Sequence, residues 1–227
     1  MITRTRLTNV SHGQAALNAG VLATQVQLFD NVPVGGASMT FERNAEIYGE
    51  GESADYVYKV LSGSVRAYRV LSDGRRQISA FHLPGDVFGI EPGLEHSSSA
   101  EAIDKATVLV VRRSTVFNSA ESNSDVARHL WSITAAELKR SQNHALLLIK
   151  TAKERIAAFL LDMSERLAVK GFVELPMSRQ DIADYLGLTI ETVSRTLTLL
   201  SEGSTIQFLA SRRIVLRNQT RLNELNA

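Results

Sequence analysis

Cysteine is absent from the 227 residues. Its absence excludes a disulfide, a thiolate zinc site and a cysteine nucleophile, and with them the usual thiolate ligands of an iron–sulfur cluster. No apolar run is long enough to span a bilayer and the N-terminus has no secretory h-region, so the expected location is the cytoplasm. An excess of either charge is also missing. With 25 basic and 24 acidic residues the net charge is +1, which gives no global signal for nucleic acid. The basic charge is instead concentrated. Between Gly203 and Arg221 stand Arg212, Arg213, Arg217 and Arg221 with no acid among them, the footprint of a local anion-binding surface or of a solvated basic tail. A hydrophobic content of 44% over this length is that of an ordinary soluble protein with room for two domains, each with its own core.

The most specific segment lies just before that basic stretch. Ser178 and Asp181 have capping-box spacing for a helix start. Ile182, Ala183 and Leu186 then repeat at helical spacing, and Gly187 supplies the left-handed stop. Thr189 is placed to cap a second helix whose inner stripe is Val193, Leu197 and Leu200, leaving Glu191, Ser194 and Arg195 on the outer face. Helix, glycine turn and helix, with carboxylate, hydroxyl and guanidinium near the second N-terminus, form a helix-turn-helix suited to a DNA major groove. In the expected contacts, Arg195 bonds guanine O6 and N7, Glu191 accepts from cytosine N4, and Ser194 reaches a neighbouring base edge. Ser178, Arg179, Thr189, Thr192, Arg212 and Arg213 are expected on the DNA backbone. A thiol in place of Ser178 would have its thiolate favoured by the helix N-terminus and by Arg179, and its oxidation would add charge facing DNA.

The rest of the chain reads differently. Residues 1–38 carry weak helical signals interrupted by Gly13, Gly20, Gly35 and Gly36. From Ser38 to Val111, short β-rich runs (Tyr56–Leu61, Val65–Val70, Gln77–Leu83, Thr107–Val111) alternate with glycine turns, predicting an antiparallel barrel or jelly roll. A long helix is expected from Asn123 to Ile149. Its positions Trp131, Thr134, Leu138, Ser141, Ala145 and Leu148, continued by Ala152, alternate in steps of three and four as a coiled-coil seam does, which suggests a homodimer. Leu146, Leu147 and Ile149 are expected to face the β domain, and a further helix over Lys153–Leu167 to open the DNA-binding domain. The whole is read as α+β: an N-terminal antiparallel β-roll, jelly-roll-like, over 1–118; a dimerisation helix over 119–152; and a C-terminal winged helix-turn-helix over 153–227.

In that order these parts resemble the Crp/Fnr superfamily of bacterial transcription regulators. The matching residues are Gly63-Ser64-Val65, the turn Leu83–Gly89, Arg155-Ile156-Ala157, the block Arg179–Leu197, and the wing strands Ile206–Leu209 and Arg213–Leu216. Members that respond to cyclic AMP carry a Gly-Glu pair after the turn and an Arg-Ser further on, which take the ribose and the cyclic phosphate. Here Gly89 is followed by Ile90, and the later position falls in Ser97–Ser99. A buried phosphate without its cation is strongly disfavoured, so cyclic nucleotide control is not expected, and the Fnr cysteines are missing too. The chain therefore resembles the FixK branch. That resemblance implies an activator of microaerobic and anaerobic respiration and nitrogen-fixation genes, inverted TTGAT-like half-sites, and RNA polymerase contact through the loop at Ser72-Asp73-Gly74. The alternative is a regulator of the same family gated by an unidentified small ligand or haem in the roll. No cofactor, metal site or catalytic residue is assigned. Glu91, Glu95, His96, Glu101 and Asp104 lack the spacing of a metal site and read as a solvated acidic loop. Catalysis on the barrel is rejected, because it needs several converging histidines and His82 alone sits in a clear strand.

Overall fold

The computed structural model describes residues 27–29, 32–167 and 171–226, so the expectation for residues 1–26 lies outside the described residues. Strands β1 (Gln27–Phe29) and β2 (Val32–Gly35) form an antiparallel hairpin where weak helical signals were read. Tertiary burial overrides local preference here: Leu28, Phe29 and Val34 join Val57, Leu109 and Val111 in a small core that α1 (Arg113–Ser122) covers.

The roll follows. Strands β3 (Ala37–Phe41), β4 (Glu46–Tyr48), β5 (Tyr56–Ser62), β6 (Val65–Val70), β7 (Arg76–His82), β8 (Val87–Phe88), β9 (Ser99–Ala102) and β10 (Ala106–Arg112) form two antiparallel four-stranded sheets, ordered β3-β10-β5-β8 and β4-β9-β6-β7. Tyr58, Val60 and Val108 of the first sheet pack on Tyr48, Val65 and Ala100 of the second. Gly63, at φ 75°, turns β5 into β6; a Cβ there would lie 2.4 Å from the Lys105 carbonyl oxygen, so glycine is required.

Helix α2 (Ser124–Leu147) starts at Asn123, whose side chain accepts from the Asp125 amide. It ends two residues short of the expected Ile149. Leu148 is its C-cap, and Ala152 opens α3 (Ala152–Leu167). The roll-facing stripe is Val126, Leu130, Ile133, Glu137, Arg140, His144 and Leu147. Leu146 and Ile149, expected on that face, are exposed instead, at 59% and 83%. The register is offset because polar residues at 137, 140 and 144 occupy inward positions. The proposed seam lies one residue further round and is bare in the single chain: Trp131 is 77% exposed and Leu138 59%.

Beyond α3 come β11 (Val173–Glu174), α4 (Arg179–Leu186), α5 (Ile190–Glu202), β12 (Ile206–Ala210), β13 (Arg213–Leu216) and α6 (Gln219–Asn226). The wing is three-stranded, ordered β11-β13-β12. The roll keeps two buried clusters of its own, but the C-terminal core extends into it. Ile78, Phe81, Leu83 and Ile103 of the roll belong to the same buried cluster as Phe159, Leu160, Ile182 and Leu197 of the C-terminal part. Among the described residues no helix is long and apolar enough to cross a membrane.

Candidate nucleic-acid interface

The helix-turn-helix is built as its local chemistry dictates. The Ser178 side chain accepts from the Asp181 amide at 3.0 Å, and Asp181 Oδ2 accepts from the Ser178 amide at 2.9 Å, a complete capping box. Gly187 closes α4 in the left-handed region at φ 62°. Thr189 Oγ1 accepts from the Thr192 amide and starts α5. Val193, Thr196, Leu197 and Leu200 bury the inner face of α5. Glu191 and Arg195 remain exposed, while Ser194 and Thr192 are half-buried. The two ionic groups assigned to base edges thus stand one turn apart on the outer face of a helix anchored from behind.

The residues assigned to the DNA backbone fare less uniformly. Arg179 lies over the Phe208 ring of β12, 5.8 Å from its centroid. Arg212 donates to the Pro176 carbonyl at 2.8 Å, and Arg213 pairs with Glu174 at 3.2 Å. Arg217 bonds Gln207 and Arg221 bonds Glu224. The basic stretch is therefore tied down by acceptors, distant for Arg212 and Arg213 and local for Arg217 and Arg221. Ser178 Oγ also donates to Asp181 Oδ2 at 2.7 Å. A thiol in its place would sit beside a carboxylate, which disfavours the thiolate, and the guanidinium expected to favour it is engaged at Phe208.

Sequence reasoning missed what holds α4. The Tyr185 carbonyl accepts from Gln77 Nε2 of β7 at 3.3 Å and from His144 Nε2 of α2 at 2.7 Å, the His144 ring lying parallel to Tyr185 at 4.0 Å. Burial pushes the Tyr185 hydroxyl up to about 12 and holds His144 below the usual imidazole value. Arg155 of α3 donates to the Leu186 carbonyl at 2.7 Å and, on its other side, to Leu148 and Lys150 at 2.7 and 2.8 Å. Cationic or N–H donors thus satisfy the negative C-terminal end of α4 from the roll, α2 and α3 together. Arg155 was singled out only as part of a motif. Its signal is position, at the first turn after a helix break.

The acidic loop is not a solvated cluster. Glu101 pairs with Arg66 and Asp104 accepts from Ser64. His96 is buried flat on Tyr48 at 3.6 Å, and no grouping of three or more potential metal ligands occurs among the described residues. Between the roll and α2 lies a cavity of about 360 Å³, lined by Tyr48, His82, Phe88, Ile90, Glu91 and Ser98 among others, and among the described residues no lysine or arginine lines it.

The family model for a cyclic nucleotide-binding domain matches residues 38–123, and that for a Crp-like helix-turn-helix domain matches residues 154–225. The chain is 49% identical over 198 residues to the nitrogen fixation regulation protein FixK of Azorhizobium caulinodans, covering 85% of this chain and 80% of that one. With the FixK of Rhizobium meliloti it shares 42% over 214 residues, 93% and 98% of the two chains. The structure is similar to that of FixK2 from Bradyrhizobium japonicum, with a TM-score of 0.81 and 54% identity over 84% of this chain and 96% of that one.

Proposed function

We infer the activity from one premise: the chain belongs to the Crp/Fnr family of DNA-binding transcription regulators, in its FixK group. It acts as a homodimeric activator that reads an inverted repeat of TTGAT-like half-sites and recruits RNA polymerase to genes of nitrogen fixation and anaerobic respiration. The observation that carries this is the outer face of α5, where Glu191 and Arg195 are free at the exposed end of a helix whose other face is fully packed. Arg195 supplies the guanine contact and Glu191 the cytosine contact. Ser194 sits between them; Ser178, Arg179, Thr189, Thr192, Arg212 and Arg213 set register on phosphates. The bare stripe of Trp131, Thr134, Leu138, Ser141, Ala145 and Leu148 is the surface that two copies share, so that paired heads meet successive turns of the duplex. The exposed β6–β7 turn at Ser72-Asp73-Gly74, flanked by exposed Val70 and Leu71, is the polymerase contact.

The test is anisotropy of a labelled inverted-repeat duplex against a scrambled one at fixed salt. Discrimination by the parent is expected; equal affinity for the two duplexes would end the sequence-specific reading. The cavity favours a second reading, in which a small molecule with both apolar and hydrogen-bonding groups occupies the roll. Native mass spectrometry of protein from its own host would reveal it as added mass.

A further inference from the structure

Arg66 projects from β6 between buried Val65 and Ala67, and its side chain is only 8% exposed. It donates through one terminal nitrogen to Asp181 Oδ1 at 3.0 Å, and through the other to Glu101 at 2.6 Å and Asn44 at 3.1 Å. Arg76 of β7 reaches the same Asp181 oxygen at 2.9 Å and Asp184 at 3.2 Å. Asp181 is the third residue of α4 and the second half of its capping box. Its Oδ2 takes the amide and hydroxyl of Ser178, and its Oδ1 takes the two guanidinium groups of the roll. One carboxylate therefore both starts the first helix of the DNA-reading unit and fastens that helix to a different sheet.

We propose that Arg66, backed by Arg76, is a positioning residue for DNA recognition: it fixes the orientation of each reading head relative to the dimer helix and so selects one spacing between half-sites. This rests on the paired half-site reading above. The turn at Leu148–Thr151 breaks the helix between α2 and α3, so helical continuity does not set the head's direction. Apolar contact across the joint is non-directional, whereas a planar guanidinium imposes geometry on its acceptors. The ionic seat holds α4 at its N-terminal end, while Gln77 and His144 hold the Tyr185 carbonyl and Arg155 the Leu186 carbonyl at its C-terminal end. Two points of attachment to β6 and β7 leave α4 no free rotation over the roll. Each base pair added between half-sites displaces the second by about 3.4 Å and rotates it by about 35°, a change that a fixed head cannot follow.

The experiment uses the full chain and duplexes carrying inverted TTGAT half-sites whose spacer varies by single base pairs, with a single half-site duplex as reference. The parent is expected to bind one spacer at least tenfold tighter than its neighbours. Arg66→Met is expected to reduce that preference to threefold or less while single half-site affinity stays within twofold. Arg66→Lys, which keeps the charge but not the fork, should fall between. An unchanged spacer preference in Arg66→Met overturns the proposal, as does an equal loss on every duplex including the single half-site, which would mark a role in stability only. Should Arg66→Met not fold, Arg66→Lys carries the test, since one ammonium replaces the two nitrogens that Arg66 places on Asp181 and on Glu101 and Asn44; an unchanged spacer preference in Arg66→Lys then overturns the proposal. A parent indifferent to spacer length would remove the half-site reading and the proposal together; a selective parent with an equally selective variant removes the proposal alone.

Discussion

At Arg195 the exposed guanidinium makes a simple demand. Arg195→Ala is expected to weaken a cognate duplex by about 1–3 kcal/mol and leave scrambled DNA nearly unchanged, because base contacts specify and phosphate contacts do not. Anisotropy titrations on the two duplexes check this, and equal losses would remove Arg195 from the base-reading set. Ser178 needs a sharper experiment than the sequence suggests. Its hydroxyl faces Asp181 at 2.7 Å, so Ser178→Asp sets two carboxylates against each other at the site that also receives Arg66 and Arg76. Loss of binding by Ser178→Asp is expected to come with a lowered melting temperature, by several degrees if the cap contributes about 1 kcal/mol or more. Ser178→Ala should lose less of both. A Ser178→Asp protein that melts with the parent but fails on DNA would restore phosphate repulsion as the cause.

Helix α2 carries two stripes one residue apart, and the sequence revealed only one of them. The outer stripe was legible because Trp131 and Leu138 keep the step of three and four in apolar residues. The inner stripe was not, because Glu137, Arg140 and His144 fill inward positions and read as solvent-facing. Arg66 was missed for the same reason: an arginine in a strand reads as outward unless its acceptors, here Asn44, Glu101 and Asp181, are already known to converge. The α4–α5 unit, by contrast, was legible nearly to the residue, since the caps Ser178, Gly187 and Thr189 act locally and need no partner from elsewhere. The exposed stripe yields its own test. Leu138→Glu is expected to convert the dimer to monomer and abolish binding to the inverted repeat, read by light scattering after size exclusion. A dimer that survives Leu138→Glu and Trp131→Glu together would place the interface elsewhere.

For the whole molecule, buried imidazoles make stability depend on pH below neutrality. His82, stacked on Phe88, is held at about 4 by burial, against an ordinary value of 6.5, and His96 and His144 are shifted the same way. Below 6.5 the unfolded chain binds protons that the folded chain refuses, so the histidine contribution to stability is lost as pH drops from 6.5 towards 4. His82 alone accounts for about 3 kcal/mol of that fall. Urea midpoints at pH 7 and pH 5 read it directly, and His82→Phe should flatten the slope; an unaltered slope would place the effect on other groups. The cavity above His82 gives the matching statement about ligands. With no lysine or arginine in its lining among the described residues, cyclic AMP is expected to leave DNA affinity unchanged; a tenfold tightening, about 1.4 kcal/mol of coupling, would refute it.

The buried cluster that joins roll residues to the helix-turn-helix bears on how such proteins diversify. A reading unit with its own closed core can be exchanged between regulators like a tool on a handle. Here a transplanted unit arrives without the complement to Ile78 and Phe81, and without an acid at position 181 it leaves Arg66 only Glu101 and Asn44 of the roll as partners. New target specificity is therefore more readily reached by changing the outer face of α5 in place, where Glu191 and Arg195 are exposed.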